Sequence, residues 1–121
     1  MAKVFHVGMY RDEKTLQPVW YYNKLPEQLS NTENTYVYIT DPMLATGGSL
    51  ANAISLFVQK NIPQSHIKAV SLISAPEGIN KIHSHFPDVE IITAALDRAL
   101  NERGYILPGL GDAGDRIFNT L

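Results

Sequence analysis

Chemistry in this chain concentrates in Asp41-Pro42-Met43-Leu44-Ala45-Thr46-Gly47-Gly48-Ser49. The small side chains of Thr46 to Ser49 let successive backbone N–H groups approach an anion at the start of a helix. Asp41, at the other end of the string, accepts hydrogen bonds from hydroxyls. A sugar phosphate needs those two functions close together. No Gly-Lys-Ser/Thr triplet is present to bring an ammonium to a triphosphate, so the string is not a Walker-type loop. A bare Thr-Gly-Gly-Ser also suits an ordinary strand-to-helix turn; the longer string, following a hydrophobic strand, points to a phosphate cradle.

The neighbouring residues predict elements that would position such a cradle. Tyr36 to Thr40 is β-branched and aromatic, as suits a central strand, and Asp41-Pro42 stops it. Leu50, Ala53, Ile54, Phe57 and Val58 recur at helical spacing, with Ser49 placed to cap the helix and Asn61 to Pro63 to end it. Ile67 to Ser74 is a near-continuous apolar run, the pattern of a strand covered on both faces. Pro76 to Phe86 reads as a helix with Ile79, Ile82 and Phe86 inward, and Val89 to Ala94 as a further strand. Toward the N-terminus, Lys3 to Met9 reads as a strand with Arg11 at its C-terminal mouth, and Thr15 to Lys24 as an aromatic edge strand. Residues 25 to 35 read as a surface loop. Leu96 to Leu121 reads as mostly loop, with a helical turn around Arg98 to Glu102. Strands alternating with helices predict one α/β domain, its parallel sheet built with right-handed crossovers.

Composition narrows the function. The chain has 121 residues, the size of one domain, and 12 acidic against 10 basic side chains give a net charge of −2, so no electrostatic footprint for nucleic acid exists. There is no cysteine, which excludes disulfides and thiolate chemistry and fits a cytoplasmic location. No apolar run approaches a membrane span and no signal peptide is visible, so no membrane partner is expected. His6, His66, His83 and His85 form no metal or catalytic set and read as structural or surface residues.

Gly109-Leu110-Gly111-Asp112-Ala113-Gly114 spells G-x-G-x-x-G. The dinucleotide reading fails, because Pro108 precedes the string and the sequence ends before the acidic residue such a unit requires. Glycines here better serve the close approach of main-chain N–H and C=O groups to the edge of a planar base. A flexible C-terminal turn would have the same composition.

The string from Asp41 to Ser49 closely resembles the phosphoribosyl pyrophosphate (PRPP) loop of type I phosphoribosyltransferases, in the spelling of uracil phosphoribosyltransferases. The segment from Asn101 to Arg116 resembles the uracil-binding end of the same family. Gly8-Met9-Tyr10-Arg11-Asp12-Glu13 is similar to the family's strand end whose arginine meets the pyrophosphate. The similarity runs from Ala2 to Thr120, departing at Asn119, where the family usually has glycine.

This resemblance implies a phosphoribosyltransferase-like parallel sheet with a mixed edge, flanked by helices and truncated at the N-terminus. It implies that Arg11, Asp41 to Ser49 and Asp112 contact PRPP, and that Ile106, Gly111, Asp112 and Ala113 contact uracil. Asp112 would stabilise the oxocarbenium-like ring or assist loss of the uracil proton. Mg²⁺ would arrive on PRPP, with no protein metal site, and the product would be UMP. Family members are longer at the N-terminus, where they carry an Arg-Ala-Gly pyrophosphate loop and a central strand. The expectation is therefore a contracted sheet, Val4 to Met9 pairing with Tyr36 to Asp41, in a homodimer. The alternative is a non-catalytic relative that binds nucleotide or a partner subunit.

Overall fold

The computed structural model describes residues 2–12, 14, 15 and 17–120. Strand β3 (Val37–Thr40) and the two-residue β4 (Met43–Leu44) lie parallel to β5 (Ile67–Ser74), and β6 (Glu90–Leu96) lies parallel to β5 on its other side. Helix α1 (Gly48–Gln59) links β4 to β5, and α2 (Pro76–His85) links β5 to β6. Leu50 and Ile54 of α1 and Ile82 of α2 pack with Leu44, Ile67 and Ala69 in one buried cluster. Both helices therefore cover the same face, the outcome of successive right-handed crossovers that proceed in one direction across a sheet. Burial of these side chains, each at roughly 1.5–3 kcal/mol, is the main force holding the sheet together.

The opposite face has no such cover among the described residues. Tyr38 and Leu72 are each 64% exposed and Ile92 is 42% exposed. Lys68 and Glu90, opposite each other across β5 and β6, form an ion pair at 2.8 Å on this face. The apolar run Ile67 to Ser74 predicted cover on both faces, but the observed strand alternates. Apolar content alone cannot tell a doubly covered strand from a singly covered one.

Two smaller units flank this sheet. β1 (Val7–Arg11) and β2 (Pro18–Asn23) form an antiparallel hairpin, with Met9 opposite Trp20 and Tyr10 opposite Val19. Its turn is tied by Asp12, whose Oδ1 accepts from Thr15 N at 2.7 Å and Lys14 N at 3.0 Å. The hydrogen bonds from Thr15, and then from Lys14, hold the Asp12 carboxyl below its ordinary pKa. Trp20 is half-buried, and Pro18 sits so close to the start of α1 that a Cβ on Gly48 would lie 3.5 Å from its Cδ. At the other end, β7 (Ala99–Leu100) and β8 (Ile106–Leu107) form a second antiparallel hairpin, followed by helix α3 (Ala113–Phe118).

Several expectations need correction. No contracted sheet forms: β1 pairs with β2, β3 pairs with β5, and no backbone pairing joins β1 to β3. A hairpin closed by a short turn costs less loop entropy than a distant pairing, and Asp12 stabilises that turn. Lys3 to His6 lies outside the first strand, which starts at Val7 and runs through Arg11. Ser49 does not cap α1; Gly47 does, in the left-handed region at φ +78°. The segment from Arg98 to Glu102 forms β7 and the hairpin turn, while the helix lies at Ala113–Phe118. Asn119, the departure from the family's glycine, ends α3 at φ +54°, a conformation that glycine adopts freely and asparagine tolerates. His66 stacks on Tyr36 at 4.3 Å between centroids, a packing role.

Candidate functional site

The phosphate cradle starts with a turn. Asp41 leaves β3, and its Oδ1 accepts from Met43 N at 3.2 Å, which holds the chain as it rejoins the sheet as β4. Pro42 supports this turn from behind: its carbonyl accepts from both Leu72 N and Ile73 N at 3.1 Å. Burial raises the Asp41 carboxyl above its ordinary pKa, and the Met43 hydrogen bond partly opposes the rise. A half-buried carboxyl without a cation to compensate it is poised to accept hydrogen bonds from a ligand.

Beyond β4, the loop from Ala45 to Gly47 opens into α1. The first hydrogen bond of the helix runs from Ala51 N to Gly47 O at 2.9 Å, so the amides of Gly48, Ser49 and Leu50 precede the intrahelical ladder. No side chain caps this end and no acidic residue occupies its first turn. The helix start thus keeps free N–H groups and a positive dipole end, which suit an anion. The loop is braced by α2. A Cβ on Gly47 would lie 3.0 Å from the Gly78 carbonyl oxygen, and one on Gly78 would collide with the Ala45 carbonyl oxygen. Two backbones meet here because neither residue has a side chain.

The other wall comes from the end of the chain. Ile106 is 3% exposed and fixes β8, while Gly109 and Gly111 turn the chain at φ +57° and +77°. Asp112 caps α3, its Oδ1 accepting from Asp115 N at 2.9 Å. Despite the following helix, the G-x-G-x-x-G string is no dinucleotide unit, because the strand that precedes it, β8, is antiparallel to β7 and lies outside the parallel sheet.

Arg11 joins the two walls. Its guanidinium lies 6.0 Å from the centre of the Tyr105 ring, and a Cβ on Gly104 would lie 2.7 Å from its Nη1. Gly104 therefore leaves room for the arginine to pass. Glu13, the last residue of the string around Arg11, lies outside the described residues.

One cleft of about 210 Å³ is lined by Arg11, Asp41, the run from Met43 to Leu50, Gly104 to Ile106, and Gly111 to Ala113. The expected site residues thus meet in one place, apart from Pro42, which is exposed outside the cleft and tied to β5 by its carbonyl. Leu50, Gly104 and Tyr105 line the cleft without having been singled out; a glycine directly before an aromatic is the sequence signal for the last two. A larger depression of about 560 Å³, between residues 27–32 and 56–61, holds no comparable set of groups. Among the described residues no three His, Asp or Glu side chains converge as a metal cage.

Two supporting carboxylates were not foreseen. Glu77 Oε1 accepts from Leu100 N at 2.9 Å, tying β7 to α2. Asp97 Oδ2 accepts from Gly109 N at 3.0 Å.

Comparison with known proteins agrees with this geometry. The family model described as "Uracil phosphoribosyltransferase" matches residues 1–120. The chain is 56% identical over 119 residues to a uracil phosphoribosyltransferase of Dictyoglomus thermophilum, covering 98% of this chain and 55% of that protein. A Streptococcus suis protein of the same name is 55% identical, with 98% and 54% covered. In three dimensions the chain is similar to the AQ2163 protein from Aquifex aeolicus, with a TM-score of 0.84 and 43% identity over 96% of this chain and 53% of that one. The chain thus spans about half the length of the relatives it matches. Motifs, fold and overall similarity lead to one conclusion: the chain belongs to the uracil phosphoribosyltransferase family and has a phosphoribosyltransferase-like α/β fold.

Proposed function

We propose that this chain provides the phosphate, ribose and base subsites for the reaction of uracil with PRPP to give UMP and diphosphate. The observation that carries this reading is the meeting, in one cleft, of Asp41, an uncapped helix start, Arg11 and the loop from Ile106 to Ala113. The N–H groups at Gly48 to Leu50 receive the 5′-phosphate, and Asp41 accepts from the ribose hydroxyls. Arg11, with a planar fork of donors and a fixed charge, faces the diphosphate. Main-chain groups of Ile106 and of Gly111 to Ala113 read the base.

N1 of uracil forms the new bond to C1 of PRPP as the bond from C1 to the diphosphate oxygen breaks, and the N1 proton leaves. Positive charge develops on the ribose ring and negative charge on the leaving group, so positioning and electrostatics supply most of the acceleration. One oxygen of Asp112 is committed to the Asp115 amide. The other is free to face the ribose ring or the departing base proton. A cleft with few carboxylates fits a Mg²⁺ ion that would arrive on PRPP, held mainly by substrate oxygens and water, and would supply charge neutralisation on the diphosphate. The same reading places the protein in the cytoplasm, where its phosphorylated substrates occur, and makes it a homodimer. The exposed Tyr38, Leu72 and Ile92 face supplies apolar surface for association.

Incubation of the purified chain with uracil, PRPP and Mg²⁺ should yield UMP, and cytosine should not substitute. Cytosine inverts the pattern at N3 and C4, and each mispaired polar group costs about 1–3 kcal/mol. UMP binding without turnover would favour a nucleotide-binding module. Absence of both turnover and binding would remove the reading.

A further inference from the structure

We infer that Asp97 is the positioning residue for base recognition: its carboxylate holds the backbone of the loop that reads the base. Asp97 belongs to neither loop of the cleft. It follows β6, and its amide donates to the Ser74 carbonyl at 2.8 Å, at the end of the central strand. Ser74 is fully buried, and its hydroxyl sits in a chain that runs from Ser71 through Ser74 to Thr93 and on to the Ala95 carbonyl, each step 2.8 or 2.9 Å. One end of Asp97 is therefore fixed to a part of the sheet whose polar groups are satisfied and whose side chains have little freedom.

Its other end grips the loop. Asp97 Oδ2 accepts from Gly109 N at 3.0 Å, and Arg98 N donates to the Leu107 carbonyl at 3.0 Å beside it. Gly109 lies between Ile106 and Gly111, two of the residues assigned to the base. It sits at φ +57°, where a Cβ would collide with the Ile106 carbonyl oxygen. Without an acceptor the Gly109 amide has no reason to keep this orientation, since glycine is the residue with the widest choice of backbone angles. The loop's further side-chain restraint, Arg116 Nη1 donating to the Leu110 carbonyl at 2.8 Å, comes from α3, which buries no residue. That contact moves with the loop, whereas Asp97 ties the loop to the sheet. Glu77 separately fixes β7 to α2, so loss of Asp97 should release the loop while leaving the hairpin docked.

The inference rests on the proposed base subsite, and two measurements separate the two. Amide hydrogen exchange tests positioning in the free protein, with no ligand. Asp97→Ala should speed exchange at Gly109, whose amide it holds, by about tenfold or more, the equivalent of one hydrogen bond to a charged acceptor, while amides of β5 keep their protection. Asp97→Asn retains an acceptor oxygen and should restore most of the protection. Calorimetry then tests the consequence: Asp97→Ala should weaken UMP binding and, where turnover is measurable, raise KM for uracil about tenfold with a smaller change in KM for PRPP, which meets this loop at Asp112 alone. Unaltered exchange in Asp97→Ala would overturn the inference whatever the ligand. Faster exchange with unaltered UMP affinity would overturn its link to the base. Wild-type protein that binds no UMP would instead count against the proposed function, leaving the exchange result to decide the positioning role.

Discussion

The two walls of the cleft are built by different forces. The phosphate wall, proposed to hold the 5′-phosphate as the base wall is proposed to read uracil, is made of backbone pressed against backbone: the Ala45 to Gly47 loop rests on Gly78, above Leu44, Leu50 and Ile54, which are at most 3% exposed. The base wall is mostly exposed and is held by side chains that reach for individual amides: Glu77 to Leu100, Asp97 to Gly109, Asn101 to Arg103 and Tyr105, and Asp112 to Asp115. Burial of apolar surface is cooperative with the whole fold, whereas one hydrogen bond contributes about 0.5–1.5 kcal/mol and can fail alone. Damage to the phosphate wall should therefore spread, and damage to the base wall should stay local.

The largest expected effect comes from breaking the first wall. Gly47→Val puts a branched side chain where φ is +78° and the Gly78 carbonyl oxygen is 3.0 Å away. Strain and overpacking should each cost about 1–3 kcal/mol. Thermal unfolding should show a Tm lowered by roughly 5 °C or more, and calorimetry should show no UMP binding. A variant with normal Tm that loses only UMP would show that the wall is less integrated with the core than its packing implies.

Asp41→Asn should sharpen the contrast by separating stability from binding. Burial, the first cause, raises the Asp41 carboxyl pKa above its ordinary value of 3.8. A carboxyl whose folded pKa exceeds its unfolded one binds more protons when folded. Its stabilising contribution is complete below the unfolded pKa and is lost as pH rises through the folded pKa. At neutral pH the ionised group is therefore a burden on folding. Asn should raise Tm by about 2–5 °C at pH 7, with the gain vanishing below pH 3.8, where Asp41 is protonated in both states. UMP affinity should fall about tenfold to a hundredfold through weaker hydrogen bonds to the ribose. A Tm gain that persists in acid would point to a cause other than the charge.

The smallest effect belongs to the base wall. Glu77→Ala frees the Leu100 amide but removes no buried side chain, so Tm should move by no more than about 2 °C. Exchange at Leu100 should accelerate, and KM for uracil should rise a few-fold with KM for PRPP unchanged. A broad loss of protection across β5 would show that the two walls are one cooperative unit.

The difference between the walls also explains what the sequence disclosed. The bounds of β5, Ile67–Ser74, match the apolar run, and α2 begins at Pro76 as its proline indicates. Those elements are dictated by burial, which leaves a periodic trace. The turn from β4 into α1 is legible because its small residues follow a strand in an unusual string. The second hairpin and α3 were missed because carboxylate and amide contacts across gaps such as Asp97 to Gly109 leave no period. The pairing of β1 is not legible because its choice of β2 over β3 follows from the short turn and the hydrogen bonds that Asp12 makes in it, and not from apolar pattern. Gly47 was identified as part of the cradle, but its left-handed conformation displaced the cap from Ser49, a detail set by α2 packing.

Trp20 is the chain's only tryptophan and lies half-buried on β2, in the strand whose Pro18 touches the start of α1. The intrinsic fluorescence of this protein is thus dominated by a single indole outside the main sheet. Its emission wavelength follows the polarity around the β1 and β2 hairpin, not the state of the buried core, and so distinguishes undocking of the hairpin that carries Arg11 from global unfolding.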